Sequence, residues 1–425
     1  MPGLFLLRHT RREFLAVAAA AAAAGQTAAD PAFLDDLRQR AFRFFVEHAD
    51  PDTGLMCDRA HTDGTLGKAH YRDARSIASN GFGLTGLCIG AEHGWIPRTE
   101  ARQRILTSLR FFANAAPGEH GWFYHFMTHD GKRMWKSELS SIDTALLLAG
   151  ILTARQYFAG DPEIASLANT IWGRVDFQWM LNGDKYLLAM GWHPESGFIN
   201  ARWDHYCELM ILYLLAIASP AHAIPADAWY AWSRPVIEYA GYKYIYGDRP
   251  LFVHQYAHAW IDFRARKEAR PPHIDWFQNS ITATLAQRAY CISLTPRFHA
   301  YSETVWGITA SDSAHGYIAW GGPPPDPRVD GTVVPCAPGG SLMFTPAYSV
   351  PALQTMKRLY GDRVWGHYGF ADAFNPNTGW VDGDVIGIDL GITLLSAENL
   401  VGGNVWKWFM SAPEVQDAMK RVGLG

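Results

Sequence analysis

Asp143-Thr144-Ala145-Leu146-Leu147-Leu148 places an acid at the head of a run apolar enough to be buried on most of its faces. A turn glycine, Gly131, precedes that acid by 12 residues. The same order recurs twice. Gly197 precedes Glu208 and Leu209-Met210-Ile211-Leu212, and Gly379 precedes Asp389 and Ile392-Thr393-Leu394-Leu395, at offsets of 11 and 10 residues. Aromatic residues fill the intervals. Helices without a solvent face need covering partners, so the repeat predicts pairs of one inner and one outer helix. Six such pairs closing on themselves make an (α/α)6 toroid. The N-terminal ends of its inner helices open into a central cleft, where Asp143, Glu208 and Asp389 would converge. Each acid taken alone also suits a first-turn position, where it stabilises the helix macrodipole.

Working outward, helical periodicity predicts helices over 32–48, 76–92, 99–115, 140–158, 163–181, 203–218, 227–243, 253–265, 275–293, 347–360, 388–400 and 401–421. Asp161-Pro162 supplies a cap and a first-turn proline for one of them. The class is all-α, with short β-hairpins across 122–135, turning at Asp130-Gly131, and across 185–203. A long loop, 321–341, carries Gly321-Gly322-Pro323-Pro324-Pro325 and then Pro335, Pro338, Gly339 and Gly340, and is read as a wall of the cleft. Gly81-Phe82-Gly83-Leu84-Thr85-Gly86 matches a dinucleotide fingerprint. No strand precedes it and no βαβ unit surrounds it, so close helix packing explains it better.

The bulk composition narrows the class. The chain has 425 residues, 48% hydrophobic and 18% charged, with a net charge of −4. The only basic run is Arg264-Ala265-Arg266-Lys267, too little for a phosphate-binding surface, so no nucleic-acid partner is expected. Arg11-Arg12-Glu13-Phe14-Leu15, followed by the alanine-rich 16–25, reads as a twin-arginine export signal ending near residue 29. Its apolar run falls short of the ~20 residues that span a bilayer, so no stable membrane anchor is expected. Residues 30–425 then form a single periplasmic or secreted domain, with the export machinery as a partner. Five cysteines do not make a disulfide framework. Cys88, Cys207 and Cys291 lie in apolar helical runs and read as buried hydrophobes.

The chain holds 17 Trp, 18 Tyr and 22 Phe. Flat rings offer large apolar area with few rotatable bonds, which suits the faces of sugar rings. Trp135, Trp192, Trp203, Trp306 and Trp380 adjoin acids or turns and are candidate sugar contacts. Glycosidic cleavage uses two carboxyls, one of them kept protonated by its surroundings. Glu208, after Trp203-Asp204-His205-Tyr206-Cys207 and before an apolar helix, fits the protonated role. His254 and His258 are four apart, but no third ligand or helical His-Glu pair supports a metal, so neither metal nor cofactor is expected.

Further fragments carry a family resemblance. They are Trp306-Gly307-Ile308-Thr309-Ala310-Ser311-Asp312, Gly387-Ile388-Asp389-Leu390-Gly391 with Glu398-Asn399, the segment from His254 to Arg264, Tyr301-Ser302-Glu303-Thr304-Val305, and Tyr368-Gly369-Phe370-Ala371-Asp372. In this order they resemble the bacterial glycoamylase-like family, from about residue 35 to the end. The resemblance implies an (α/α)6 barrel that hydrolyses a β-glucan, most readily β-1,2-glucan, with inversion in its endo-acting branch. It implies Glu208 as general acid, Asp143 and Asp389 as further cleft acids, and an oligo- or polysaccharide held by residues including Glu138, His254, Tyr301, Glu303 and Asp312. Glu303 is the candidate nucleophile if the reaction retains configuration. The chain departs from the pattern at Leu390-Gly391-Ile392, where relatives often carry Gln-Gly-Pro, and after Asn399, where an aromatic is expected. Two other readings stay open: a carbohydrate-binding toroid without catalysis, and a polysaccharide lyase or epimerase using Tyr256, His258 and Arg264.

Overall fold

The computed structural model describes residues 30–66 and 71–425; the expected export segment lies outside the described residues. Six helical pairs follow one another along the chain. Helices α1 (Pro31–Glu47) and α2 (Ile77–Glu92) form the first, and α3 (Arg98–Asn114) and α4 (Ser141–Tyr157) the second. Then come α5 (Pro162–Gly173), the single turn α6 (Phe177–Met180) and α7 (Met210–Ala218). A 3-10 turn, Ala226–Tyr230, covers α8 (Tyr256–Trp260). The last pairs are α9 (Trp276–Ser293) with α10 (Cys336–Gly340), and α11 (Pro346–Tyr360) with α12 (Gly387–Val401). Helices α13 (Asn404–Met410) and α14 (Pro413–Arg421) finish the chain.

The even-numbered helices α2, α4, α8, α10 and α12, together with α7, form the inner ring. α2 packs on α4, α4 on α7 and α7 on α8; α10 packs on α12, and α12 returns to α2. The ring closes because these helices have no polar side. Every residue of α7 is buried, as is every residue of α2 from Ile77 to Gly90. Outer helices such as α3 and α5 bury one stripe and leave the rest to water. The closest approach joins α2 and α4. A Cβ on Gly81 would lie 2.2 Å from the Leu146 carbonyl oxygen, and one on Gly150 would lie 2.2 Å from that of Gly81. The glycine pattern of α2 therefore serves backbone-to-backbone packing.

Helix boundaries differ from expectation where side-chain capping or a hairpin intervenes. The expected helix 203–218 begins only at Met210, because residues before it pair with a neighbouring loop: Tyr206 N–H donates to Ser233 O, and Ser233 N–H to Asp204 O. The stretch 227–243 begins in the 3-10 turn and ends in a hairpin, Val236–Tyr239 against Tyr242–Ile245, turning on Ala240 and Gly241 at φ 50° and 83°. Expected helices 163–181 and 401–421 each break in two. Of the expected hairpins, Gly191–His193 pairs with Gly197–Phe198, while in the other only Met127 bridges Arg133, and Trp122–Phe123 pairs with Gly118–Glu119 instead. Much of the loop 321–341 is buried, and its end is the inner helix α10. All five cysteines are buried and free. Among the described residues no helix is long and apolar enough to cross a membrane.

Candidate active site

Short strands deliver the acids to the inner-helix N-termini. Leu139–Ser140 pairs with Gly191–His193 and runs into α4, where Asp143 lies in the first turn. Ser140 caps the helix, accepting from Asp143 N–H at 3.2 Å and donating its hydroxyl to Asp143 Oδ2. Asp384–Ile386 pairs with Arg59–His61 and runs into α12, with Asp389 in its first turn. Glu208 stands immediately before Leu209, the residue that caps α7. The glycines ahead of the three acids, Gly131, Gly197 and Gly379, all turn in the left-handed region, at φ 82°, 80° and 80°. The acids lie close enough to act on one another or on a common neighbour. The charge of Asp143 acts on Glu208, and those of Asp389 and Glu208 both act on the Tyr256 phenol of α8.

Glu208 keeps part of its surface open, but protein packed around the carboxyl pushes it up to about 7. Desolvation is the main cause; hydrogen bonds from its own backbone and the Cys207 thiol pull the other way, and the Asp143 charge adds to the rise. Trp203 stands close by, its Nε1–H donating to Ser141 Oγ at 2.8 Å and its carbonyl accepting from the Tyr213 hydroxyl. Asp143 is held by His125, whose Nε2 is 3.5 Å away and whose Nδ1 is 3.0 Å from Glu138 Oε1. Burial alone would depress this imidazole, but the two carboxylates prevail and hold it at about 9. His125 is therefore a cation at neutral pH, and both its nitrogens are donors.

Around Asp389 lies a dense acid cluster. Arg59 binds Asp312 at 2.7 Å and Asp58 at 3.1 Å, and lies 4.0 Å from Asp384, which also meets His61 at 2.6 Å. Burial raises Asp389 to about 6 and Asp382 to about 7, and drives Asp372 well above the carboxylate range. Asp372 and Asp389 line one small cavity, of about 20 Å³, with Cys336, Tyr368 and Thr393. The Arg59 guanidinium lies 4.1 Å over the Tyr71 ring, whose edge meets Trp135.

Two groups bring ligand-type atoms within 4.8 Å of one another: His125, Glu138 and Asp143, and Asp312, Asp382 and Asp384. Each already has a positively charged or donor partner within the protein. In the first His125 pairs with both carboxylates. In the second Arg59 already supplies positive charge to Asp312 and Asp384.

The expected contact residues separate into two sets. Glu138, Trp203 and Asp312 stand beside the acids through His125, Ser141 and Arg59. Trp135 is 41% exposed, while Trp192 and Trp380 are half-buried. Trp306 and Tyr301 are enclosed in a buried apolar cluster with Val305, Trp320 and Phe374, the Tyr301 hydroxyl donating to Thr332 O, and offer no open face. His254 is buried, depressed to about 3 by that burial, and packed on Tyr206. The Glu303 side chain is 83% exposed, with Arg288 at 3.9 Å as its ion partner. The trio Tyr256, His258 and Arg264 is not assembled: His258 is buried against Ser280, and Arg264 is held by Asp262 and stacked 4.0 Å over Trp406. Sequence reasoning passed over Arg59, His125, Asp382 and Asp384, and gave Asp372 no role beyond its place in a family fragment. The doubled acid of Asp382-Gly383-Asp384 was the available signal.

A family model for "Glycoamylase: Putative glucoamylase" matches residues 200–413. A curated relative, the exo β-1,2-glucooligosaccharide sophorohydrolase (non-reducing end) of Parabacteroides distasonis, is 29% identical over 433 residues. The alignment covers 92% of this chain and 58% of that protein's length. The crystal structure of a "putative glucoamylase" from Bacteroides uniformis has a TM-score of 0.86 at 29% identity, over 93% of this chain and 98% of that one. The endo-β-1,2-glucanase of Chitinophaga pinensis, in complex with sophorotriose and glucose, has a TM-score of 0.84 at 28% identity, over 93% of this chain and 99% of that one.

Proposed function

The chain belongs to the glycoamylase family, and on that premise we propose that it is an exported glycoside hydrolase that cleaves β-1,2-linked glucan with inversion. The observation that carries this reading is the placement of two carboxyls at the heads of different inner helices: Glu208, desolvated and pushed up to about 7, before α7, and Asp389 in the first turn of α12. Glu208 protonates the leaving glycosidic oxygen as the C1–O bond breaks. Asp389 takes the proton from the attacking water as the new C1–O bond forms. Asp143, fixed between Ser140 and His125, lends its negative charge to the oxocarbenium-like transition state and helps keep Glu208 protonated. The descriptions of the sophorohydrolase and the endo-β-1,2-glucanase support the linkage.

The test is digestion of linear β-1,2-, β-1,3- and β-1,4-glucans with product sizing and proton NMR of the fresh digest. Cleavage of the β-1,2-glucan releasing the α-anomer first is expected. An initial β-anomer rules out inversion, and an intact β-1,2-glucan removes the substrate. Product length separates disaccharide release from internal cleavage. Because both carboxyls must be in the right state, kcat/KM should follow a bell between about pH 6 and pH 7. Export rests on Arg11-Arg12 and predicts that Arg11→Lys with Arg12→Lys retains the protein in the cytoplasm on cell fractionation.

A further inference from the structure

Asp372 lies on the segment between α11 and α12 and has no part in the reaction as written above. Its carboxyl is buried and in hydrogen-bond contact with that of Asp389. Two ionised carboxylates cannot make that contact, since neither has a donor. Asp372 Oδ2 is already committed: it accepts from Asp312 N–H at 2.8 Å. Asp372 Oδ1 and Asp389 Oδ2 are both buried, and no donor reaches either. A buried acceptor without a donor costs on the order of 1–3 kcal/mol, more when charged, so two in contact call for a proton.

We propose that Asp372 and Asp389 share one proton, with Asp372 as its resident holder, so that Asp372 is a positioning residue that donates to Asp389 and sets the pH at which Asp389 becomes a base. The surroundings favour this division. Asp372 faces Asp389, Asp382 and Asp312, which burial makes costly to leave all ionised. Asp389 sits in the first turn of α12, near the positive end of the helix dipole, and also receives the Cys336 thiol. Asp58 and Asp312 press on Asp389 as like charges; Tyr256 and Tyr317 face it from α8 and from the 311–318 loop; Arg59 is the nearby cation and is occupied by Asp58 and Asp312. The inference rests on Asp389 being the base of the proposed hydrolase, but the shared proton itself does not.

The backbone offers a clean test. Asn at 372 can accept from Asp312 N–H through its carbonyl and present its NH₂ to Asp389, so Asp372→Asn keeps the donor. Asp372→Ala removes it. Asp372→Asn should hold kcat/KM on β-1,2-glucan within about threefold of wild type, with the acidic limb in place. Asp372→Ala should move that limb to higher pH by roughly one unit, losing about fivefold at pH 6 and matching wild type at pH 8. Equal losses in both variants with no movement of the limb would overturn the proposal. Infrared spectroscopy at pH 8 reads the proton without substrate. Wild type should show a carboxylic-acid carbonyl band that Asp372→Asn lacks, and identical spectra would overturn the shared proton even if the chain proves to cleave no glucan.

Discussion

At the scale of single residues, the site depends on environments that push like groups apart. Glu208, beside the charge of Asp143, is desolvated enough to hold its proton near neutrality. Asp143 is tied to a protonated His125 and accepts from the Ser140 hydroxyl. Glu208→Gln should lose about 100-fold or more in turnover, the scale of positioned acid catalysis, while keeping its fold by circular dichroism. The same substitution has a stability signature. A folded pKa raised above the unfolded value means that the native state binds the proton more tightly. Its contribution is full below about 4.5 and is lost as pH rises through about 7. At pH 8 the Gln variant should therefore unfold at a higher temperature than wild type, by on the order of 2 kcal/mol in stability. A variant that is inactive but no more stable at pH 8 would mean that the carboxyl is not desolvated in solution.

At the scale of helices, the α2–α4 crossing shows what glycine does in this chain. The carbonyl of Gly81 lies where a Cβ of Gly150 would be, so Gly150→Ala forces the two helices apart. Overpacking of this kind costs about 1–3 kcal/mol, and more where backbone is the obstacle. Gly173, at the end of outer helix α5, has nothing within 4 Å of its Cβ position and no positive φ. Gly173→Ala should be neutral or slightly stabilising by thermal melt, and equal melts for the two variants would deny the close crossing. The sequence made most inner helices legible because they are apolar on every face, but α10 lay inside the expected loop 321–341; a turn glycine and an apolar run marked Asp143, Glu208 and Asp389 as heading inner helices. It hid the 236–245 hairpin, whose aromatic and β-branched residues also fit a helical period. It hid Asp372 and Arg59 for a different reason. They join the cleft through pairing distant in sequence, Arg59 through a strand matched to 384–386 and Asp372 through Asp312 N–H.

At the scale of the whole molecule, the ring is closed by its ends. The last inner helix, α12, packs on the first pair, α1 and α2. Gly391 is small because Phe82 fills the space where its Cβ would go, and Leu394 is the nearest neighbour of Gly86. A linear helical array loses stability by increments when an end repeat is cut, since each repeat meets only its neighbours. A closed ring has no end repeat. Ending the chain before Gly387 would expose the inner faces of α1, α2 and α10 together, and neither α2 nor α10 has a polar face to turn towards water. We expect that truncated chain to lose its near-ultraviolet circular dichroism and its cooperative melt altogether. Ending the chain before Pro413 removes only α14, which covers α7 from outside, and should lower the melting temperature while leaving one sharp transition. A chain cut before Gly387 that still melts cooperatively within a few degrees of the intact protein would show that the pairs stand alone and that closure adds nothing.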